Sequence, residues 1–368
     1  METVLIDGSM GAGGGQVLRT SLALSCITGK HLRIENIRAA RRNPGLARQH
    51  LSCVRAASQI CGGQSDGNIL GSQVLDFKPG PIRGGDYSFD IGSAGSASLV
   101  VQTILPALFL ADEPSTVTVT GGTHNPWAPP FDFLAETFLP AVASAGFHAE
   151  CELIKHGFYP AGGGMLGFKI QPWQRQSGGA IDLCERAANP QVRARIYTAR
   201  LPGHIAHRQQ ELLCQSGLRI ANMEHIDATD SDGPGNCAML RVCSGGRTTV
   251  FTAFGQKGKP SKKVVGEVVT ETRDYLSSDA AIDRHLADQL LIYMAMKSHF
   301  AKDGETGALS DSRQGGEKPA PAKAGGSYTT NDLSTHLTTN IETIRRFLPI
   351  NYSIESQDRI HRISCMLV

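Results

Sequence analysis

The sequence predicts a mixed α/β (α+β) fold, a large domain of repeated strand-and-helix units carrying a smaller inserted α/β domain. Three observations support this. At 368 residues the chain exceeds what one core usually supports, so several repeats or two domains are expected. A glycine-rich turn opening an apolar helix occurs twice, as GSMGAGGGQVLRTSLALSCITG from Gly8 and GSAGSASLVVQTILPALFLAD from Gly92. From about Asn189 the pattern changes to longer strands around amphipathic helices.

In chain order, the first glycine turn and its helix are followed by a second helix, GLARQHLSCVRAASQICG, and a short strand in SQVLDFKPG. The second turn and helix lead to the strand TVTVTGG and the helix FDFLAETFLPAVASAG, so both units read as strands plus two helices. A third glycine cluster, YPAGGGMLGFKI, closes the second unit. The inserted domain, 185–278, reads as the strand QVRARIYTARLP, the helix HIAHRQQELLCQSG, three further strands and the helix KKVVGEVVTETRDYLSS. The large domain, 1–184 plus 279–368, resumes with the helix AAIDRHLADQLLIYMAMKS. Residues 301–326 are polar and rich in Gly, Pro and Ser, the composition of a disordered loop. STHLTTN then reads as a short strand, IETIRRFLP as a helix, and YSIES and HRISCMLV as strands, so a third unit is interrupted twice.

Composition excludes several classes. Forty-one glycines with 40% hydrophobic residues suit tight turns and small-residue packing, not a disordered chain. A formal net charge of +2 means that affinity for nucleic acid must come from local clustering. The nine cysteines form no CxxC pair, and without a secretion signal they read as reduced thiols of a cytoplasmic protein. The longest apolar run, ASLVVQTILPALFLA, contains Gln102 and Pro106 and falls short of the ~20 residues that a membrane span requires.

The loop GSMGAGGGQ is not a P-loop, because no Gly-Lys-Ser/Thr follows, and Gln16 stands where a dinucleotide fingerprint needs its third glycine. It is either a ligand loop or a strand-to-helix turn that needs positive φ. The densest basic segment carries Arg33, Arg38, Arg41, Arg42, Arg48 and Arg55 with His50, against the single acid Glu35. Guanidinium forks suit phosphate, while the plainer reading is a solvated helix face; Arg19, just after the glycine loop, favours phosphate. Among twelve histidines, His204 and His207 have i, i+3 spacing but no carboxylate or thiol nearby, and read as surface residues. His336 in STHLTTN is by default structural. Asp288 and Gln289, and likewise Gln102, are polar residues on apolar helices, a pattern that suits a pocket wall.

Taken together, these blocks resemble the RNA 3'-terminal phosphate cyclases. HGFYPAGGGMLGF (His156 to Phe168) resembles the family signature, and RAARRNPGLARQHL, IGSAGSASLVVQTILPAL, GGTHNPWAPP, HLADQ and THLTTN follow family blocks in order. The similarity runs from Asp7 to Pro349, with 297–330 longer than in relatives. It implies three repeats, each of two helices on a four-stranded sheet, and a smaller inserted domain of similar elements.

It also implies a reaction: ATP-dependent conversion of an RNA 3'-phosphate end to a 2',3'-cyclic phosphate, with Mg2+ or Mn2+. His336 matches the nucleophile that forms a covalent histidine–AMP intermediate, followed by RNA-(3')pp(5')A. Arg19, Arg38 and Arg41 match catalytic positions, and Gln49, His50, Gly13 and Gly14 match positions at RNA and phosphate. Gln102 and the run His285, Leu286, Ala287, Asp288 and Gln289 match ATP-site positions. One departure concerns the metal: relatives carry glutamate just before the three glycines, and Ala12 stands here, leaving Asp288 as the candidate carboxylate.

Two alternatives belong to other classes. A non-catalytic RNA-binding branch acting in ribosome assembly lacks the nucleophile, and retention of His336, Arg19, Arg38, Arg41 and Asp288 argues against it. An enolpyruvyl-transferase-like enzyme shares a related repeat architecture, but the arginine block and the HLADQ–THLTTN pairing disfavour it.

Overall fold

A computed structural model describes residues 2–11, 13–175, 177–300 and 325–367. Residues 301–324 of the expected loop, and Ala12, lie outside the described residues.

Three sheets repeat one connectivity. In the first, β1 (Thr3–Asp7), α1 (Gly15–Thr28), β2 (His31–Glu35), α2 (Arg48–Cys61), β3 (Gln64–Asp66) and β4 (Leu75–Lys78) give the strand order β1-β2-β4-β3. Strands β1 and β2 pair in parallel from Thr3↔His31 to Asp7↔Glu35, as a strand–helix–strand crossover requires. The second sheet repeats the pattern with β5 (Gly85–Asp90), α3 (Ala97–Leu108), β6 (Ser115–Gly121), helix α4, β7 (Ala149–Lys155) and β8 (Gly164–Ile170), ordered β5-β6-β8-β7. Helix α4 runs through Phe131–Phe133, a π-helical Leu134–Phe138 and Leu139–Ala143. Its π-helical stretch has no counterpart in the sequence reading.

The third sheet opens with β9 (Ile181–Leu183), and the chain then departs. It forms β10 (Gln191–Ala199), α5 (His204–Cys214), β11 (Ile220–Asp227), β12 (Gly235–Ser244), β13 (Arg247–Phe254) and α6 (Ser261–Leu276), with strand order β11-β10-β12-β13. It returns as α7 (Arg284–Phe300), β14 (Gly326–Thr330), α8 (Thr335–Phe347), β15 (Ile350–Gln357) and β16 (Ile360–Leu367), completing the order β15-β16-β14-β9. Gly326, expected as the end of the loop, is the first residue of β14.

STHLTTN is not a strand. Thr335 begins α8, which continues without a break through IETIRRF, and Ser334 caps it by accepting the Leu337 N–H. The β-branched threonines favour extended backbone, but Leu337, Ile341 and Ile344 at helical spacing bury one face and decide the outcome.

Helix α1 packs against α2, α3 and α8, and α7 packs on α8, so the helices of all three units form one layer. Leu18, Leu22, Val54, Ile104, Leu290 and Ile344 are buried in its core. Each such side chain contributes about 1.5–3 kcal/mol when fully buried. A second, smaller core contains Val192, Ile196, Leu240, Phe251, Val265 and Val268 from the sheet around β10 and its helices. Among the described residues, no helix is long and apolar enough to cross a membrane. The nine cysteines are free thiols.

Candidate active site

Two loops and helices from all three units, together with α6, meet at one cleft. At its first corner, α1 begins at the glycine loop, and no side chain caps it at Gly14. Its first-turn N–H groups therefore face outward without a side-chain acceptor, the arrangement that suits an anion. His50, near the start of α2, lies against this turn: a Cβ on Gly15 would come within 2.2 Å of its Nε2 and 2.8 Å of Arg19 Nη1. Only glycine allows that approach. His50 Nδ1 accepts the Ala47 N–H at 3.0 Å, which assigns the proton of the neutral ring to Nε2, aimed at the glycine turn. Burial first, then the charges of Arg19 and Arg38, push the His50 pKa down to about 3. The ring is a neutral donor at pH 7.

Arg38 and Arg41 come from the loop after β2. Arg38 sits at φ 53° with Nη1 on Gly45 O at 2.7 Å, and Arg41 Nε reaches Gly13 O at 3.4 Å. The structure thus brings Arg19, Arg38, Arg41, His50, Gly13 and Gly14 together. Gln49 turns the other way, its Oε1 accepting Ser96 N–H at 2.9 Å, and so ties α2 to the second glycine turn. Arg33 is absorbed by Glu35 and Asp76 at 2.8 Å each.

His336, on the first turn of α8, faces this corner. Its Nδ1 makes a close hydrogen bond with Gln16 Oε1. Because that oxygen accepts, the neutral ring carries its proton on Nδ1 and leaves the Nε2 lone pair open to the cleft, a tautomer assigned from the hydrogen bond. Desolvation by the cleft walls, then the charges of Arg19, Arg41 and His285, lower its pKa below the ordinary imidazole value.

The opposite wall belongs to α3 and α7. Gln102 Nε2 donates to Gln289 Oε1 in a close pair. The Asp288 carboxylate, 9% exposed, accepts the Ser334 hydroxyl at 2.6 Å. Burial raises its pKa to about 7 against the lowering effect of that hydrogen bond. Asn340 holds α7 and α1 to α8, donating to Asp288 O at 2.9 Å and accepting from Thr20 at 2.7 Å. His285 Nε2 lies 3.2 Å from Glu271 Oε1 of α6. Although burial opposes it, the Glu271 hydrogen bond and the charges of Asp283 and Glu271 raise the His285 pKa. Leu286 and Ala287, within the same run, are buried in the core and do not line the cleft.

Gln16, Arg19, Gln102, Asp288, Gln289 and His336 border a cavity of about 740 Å3 whose far side is built by β13 and α6, while His50, Arg38 and Arg41 are not among its lining residues. Gln16, Ser334, Asn340 and Glu271 escaped sequence reasoning. Gln16 was visible as the residue breaking the dinucleotide spacing, while the other three carry no local signal. His204 and His207 are exposed on α5 as expected, but the expected absence of a nearby carboxylate is corrected, since His207 pairs with Glu211 one helical turn on at 3.2 Å.

Among the described residues no group of three or more His, Cys, Asp or Glu side chains could hold a metal ion by itself. The donor set, one carboxylate at Asp288 beside an anion-binding corner, fits a Mg2+-type ion carried mainly by phosphates and water.

Comparison with known proteins shows what the chain is similar to. The family model for RNA 3'-terminal phosphate cyclase matches residues 10–354. A Pseudomonas fluorescens protein named RNA 3'-terminal phosphate cyclase is 43% identical over 366 residues, 99% of this chain and 98% of its own. Proteins of the same name from Ectopseudomonas mendocina and Koribacter versatilis are each 42% identical, covering 98% and 99% of this chain and 98% and 95% of their own. A match of that extent, over a chain that repeats one βαβαββ unit three times around a histidine-bearing cleft, shows that it belongs to the RNA 3'-terminal phosphate cyclase family.

Proposed function

We propose that the protein is an ATP-dependent RNA 3'-terminal phosphate cyclase that works through adenylylated His336. The observation that supports this most is the His336–Gln16 pair, which leaves an unprotonated Nε2 in a cleft with cationic groups on one side and Gln102, Asp288 and Gln289 on the other.

In the first step Nε2 attacks the α-phosphorus of ATP, a P–N bond forms and pyrophosphate leaves. Gln16 holds the ring by its Nδ1–H as positive charge develops, and Arg19 faces the departing phosphates. In the second step an oxygen of the RNA 3'-phosphate displaces the imidazole from that phosphorus, giving RNA-(3')pp(5')A and regenerating neutral His336. The Arg38–Arg41 loop, the His50 Nε2–H and the amide at Gly14 supply donors for this phosphate, while the Gly13 N–H is held by Met10 O at 3.0 Å. In the third step the 2'-hydroxyl attacks the 3'-phosphorus, AMP leaves, and the hydroxyl proton passes to solvent. A divalent ion travelling with the triphosphate would neutralise charge there, with Asp288 as its protein carboxylate. The reading places the substrate as RNA with a 3'-phosphate and the cofactors as ATP and Mg2+ or Mn2+.

Mass spectrometry of the protein after exposure to ATP and Mg2+ tests this. The expected result is the mass of one adenylyl group, mapped to the peptide containing His336 and absent from His336→Ala. A chain that retains 3'-phosphorylated RNA yet gains no mass would instead be a non-catalytic RNA-binding relative.

A further inference from the structure

On the rim of the cleft, Trp127 is 89% exposed. It stands in the stretch Asn125-Pro126-Trp127-Ala128-Pro129-Pro130 at φ 62°, a left-handed conformation that a bulky side chain adopts only when its surroundings impose it. The surroundings do so on both sides. Asn125 Nδ2 donates to Ala94 O at 2.6 Å, and Ser98 Oγ donates to Pro129 O at 2.6 Å. Just before the loop, His124 is fully buried with its Nε2 3.0 Å from Asp132. The loop is thus held firmly at its ends while its largest apolar side chain is turned to solvent. The sequence has only one other tryptophan, Trp173, which is buried against Phe147.

Trp127 belongs to the wall of the same cavity as His336, Arg19 and Gln102, and Lys263 stands on the wall built by β13 and α6, where Lys259 is already paired with Glu267. An exposed flat indole beside cations able to hold phosphates is the pairing by which proteins take up nucleotides irrespective of base, the ring covering a π-face while the charges hold the backbone. We propose that Trp127 is a stacking surface for a nucleobase at the mouth of the cleft. The base belongs either to the nucleotide bound within or to the RNA end that reaches it, and the proposal rests on the reading of this cleft as the site of both.

The test uses Trp173→Phe, in which Trp127 is the sole indole, titrated separately with ATP–Mg2+ and with an oligoribonucleotide carrying a 3'-phosphate. The expected result is quenching of the emission by one of the two, which identifies the source of the base. For that ligand Trp127→Ala should raise KM about 10- to 100-fold with a smaller effect on kcat, and Trp127→Phe should recover most of the loss. Emission unmoved by either ligand, while filter retention shows both bound, would overturn the proposal, as would unaltered KM values in Trp127→Ala. Should the parent gain no adenylyl mass, the catalytic reading fails, whereas quenching by the oligonucleotide would still establish the stacking surface.

Discussion

Ser334 donates its hydroxyl to Asp288 at 2.6 Å and its Oγ accepts the Leu337 N–H that begins α8. One side chain therefore links the carboxylate on the α7 wall of the cleft to the first turn of the helix that carries His336. Ser334→Ala should lose the cap, about 1 kcal/mol, and with it a few degrees of thermal midpoint. It should also slow label transfer from ATP roughly 10-fold or more, while Ser334→Thr keeps most of both. A thermal loss with label transfer untouched would reduce Ser334 to a cap.

His336 should titrate below the ordinary imidazole value. Cleft desolvation, Arg19, Arg41 and His285 all disfavour its protonated form, so the ring stays neutral down to a lower pH than a free histidine. NMR titration of labelled histidines checks this directly. Arg19→Gln should shift the His336 midpoint upward, and a parent midpoint above ~6.5 would contradict the assignment.

His50 should make the fold acid-sensitive. Its folded pKa of about 3 lies below the unfolded value of about 6.5, so protons favour the unfolded chain. Its contribution is fully present above pH ~6.5 and is lost progressively as pH falls towards 3, by up to a few kcal/mol. His50→Gln retains an acceptor for the Ala47 N–H and cannot be protonated. Urea midpoints at pH 7 and pH 4 should differ less in this variant than in the parent; equal differences would rule His50 out as the cause.

We also propose that residues 185–278 fold on their own, because the second core draws its buried members from Val192 to Tyr275. Expressed alone, this stretch should give dispersed amide resonances and cooperative melting. A collapsed, undispersed spectrum would mean that it depends on the surrounding sheets.

Much of the fold was legible because its signals are local: apolar periodicity marked α1, α2, α3 and α6, and the glycine turns marked where helices begin. What failed was short or conflicted. The three residues of β9 are too few to show a period, and threonines at Thr335, Thr338 and Thr339 argued for a strand until burial on one helix face outweighed them. The site was legible as residue types and block order, through resemblance, but not as pairings. Gln16 and His336 are 320 positions apart, and nothing near either residue announces the other.

The short strand that opens the third sheet has a consequence for biogenesis. Ile181 finds its neighbour only at Gly326, after the whole β10–α7 segment has emerged. The first two sheets close on partners made soon before, so on the ribosome they can assemble early, whereas the third waits for nearly the last part of the chain. Because that late part also carries His336, a truncated translation product would have two completed sheets and the arginine corner but would lack the histidine of the cleft.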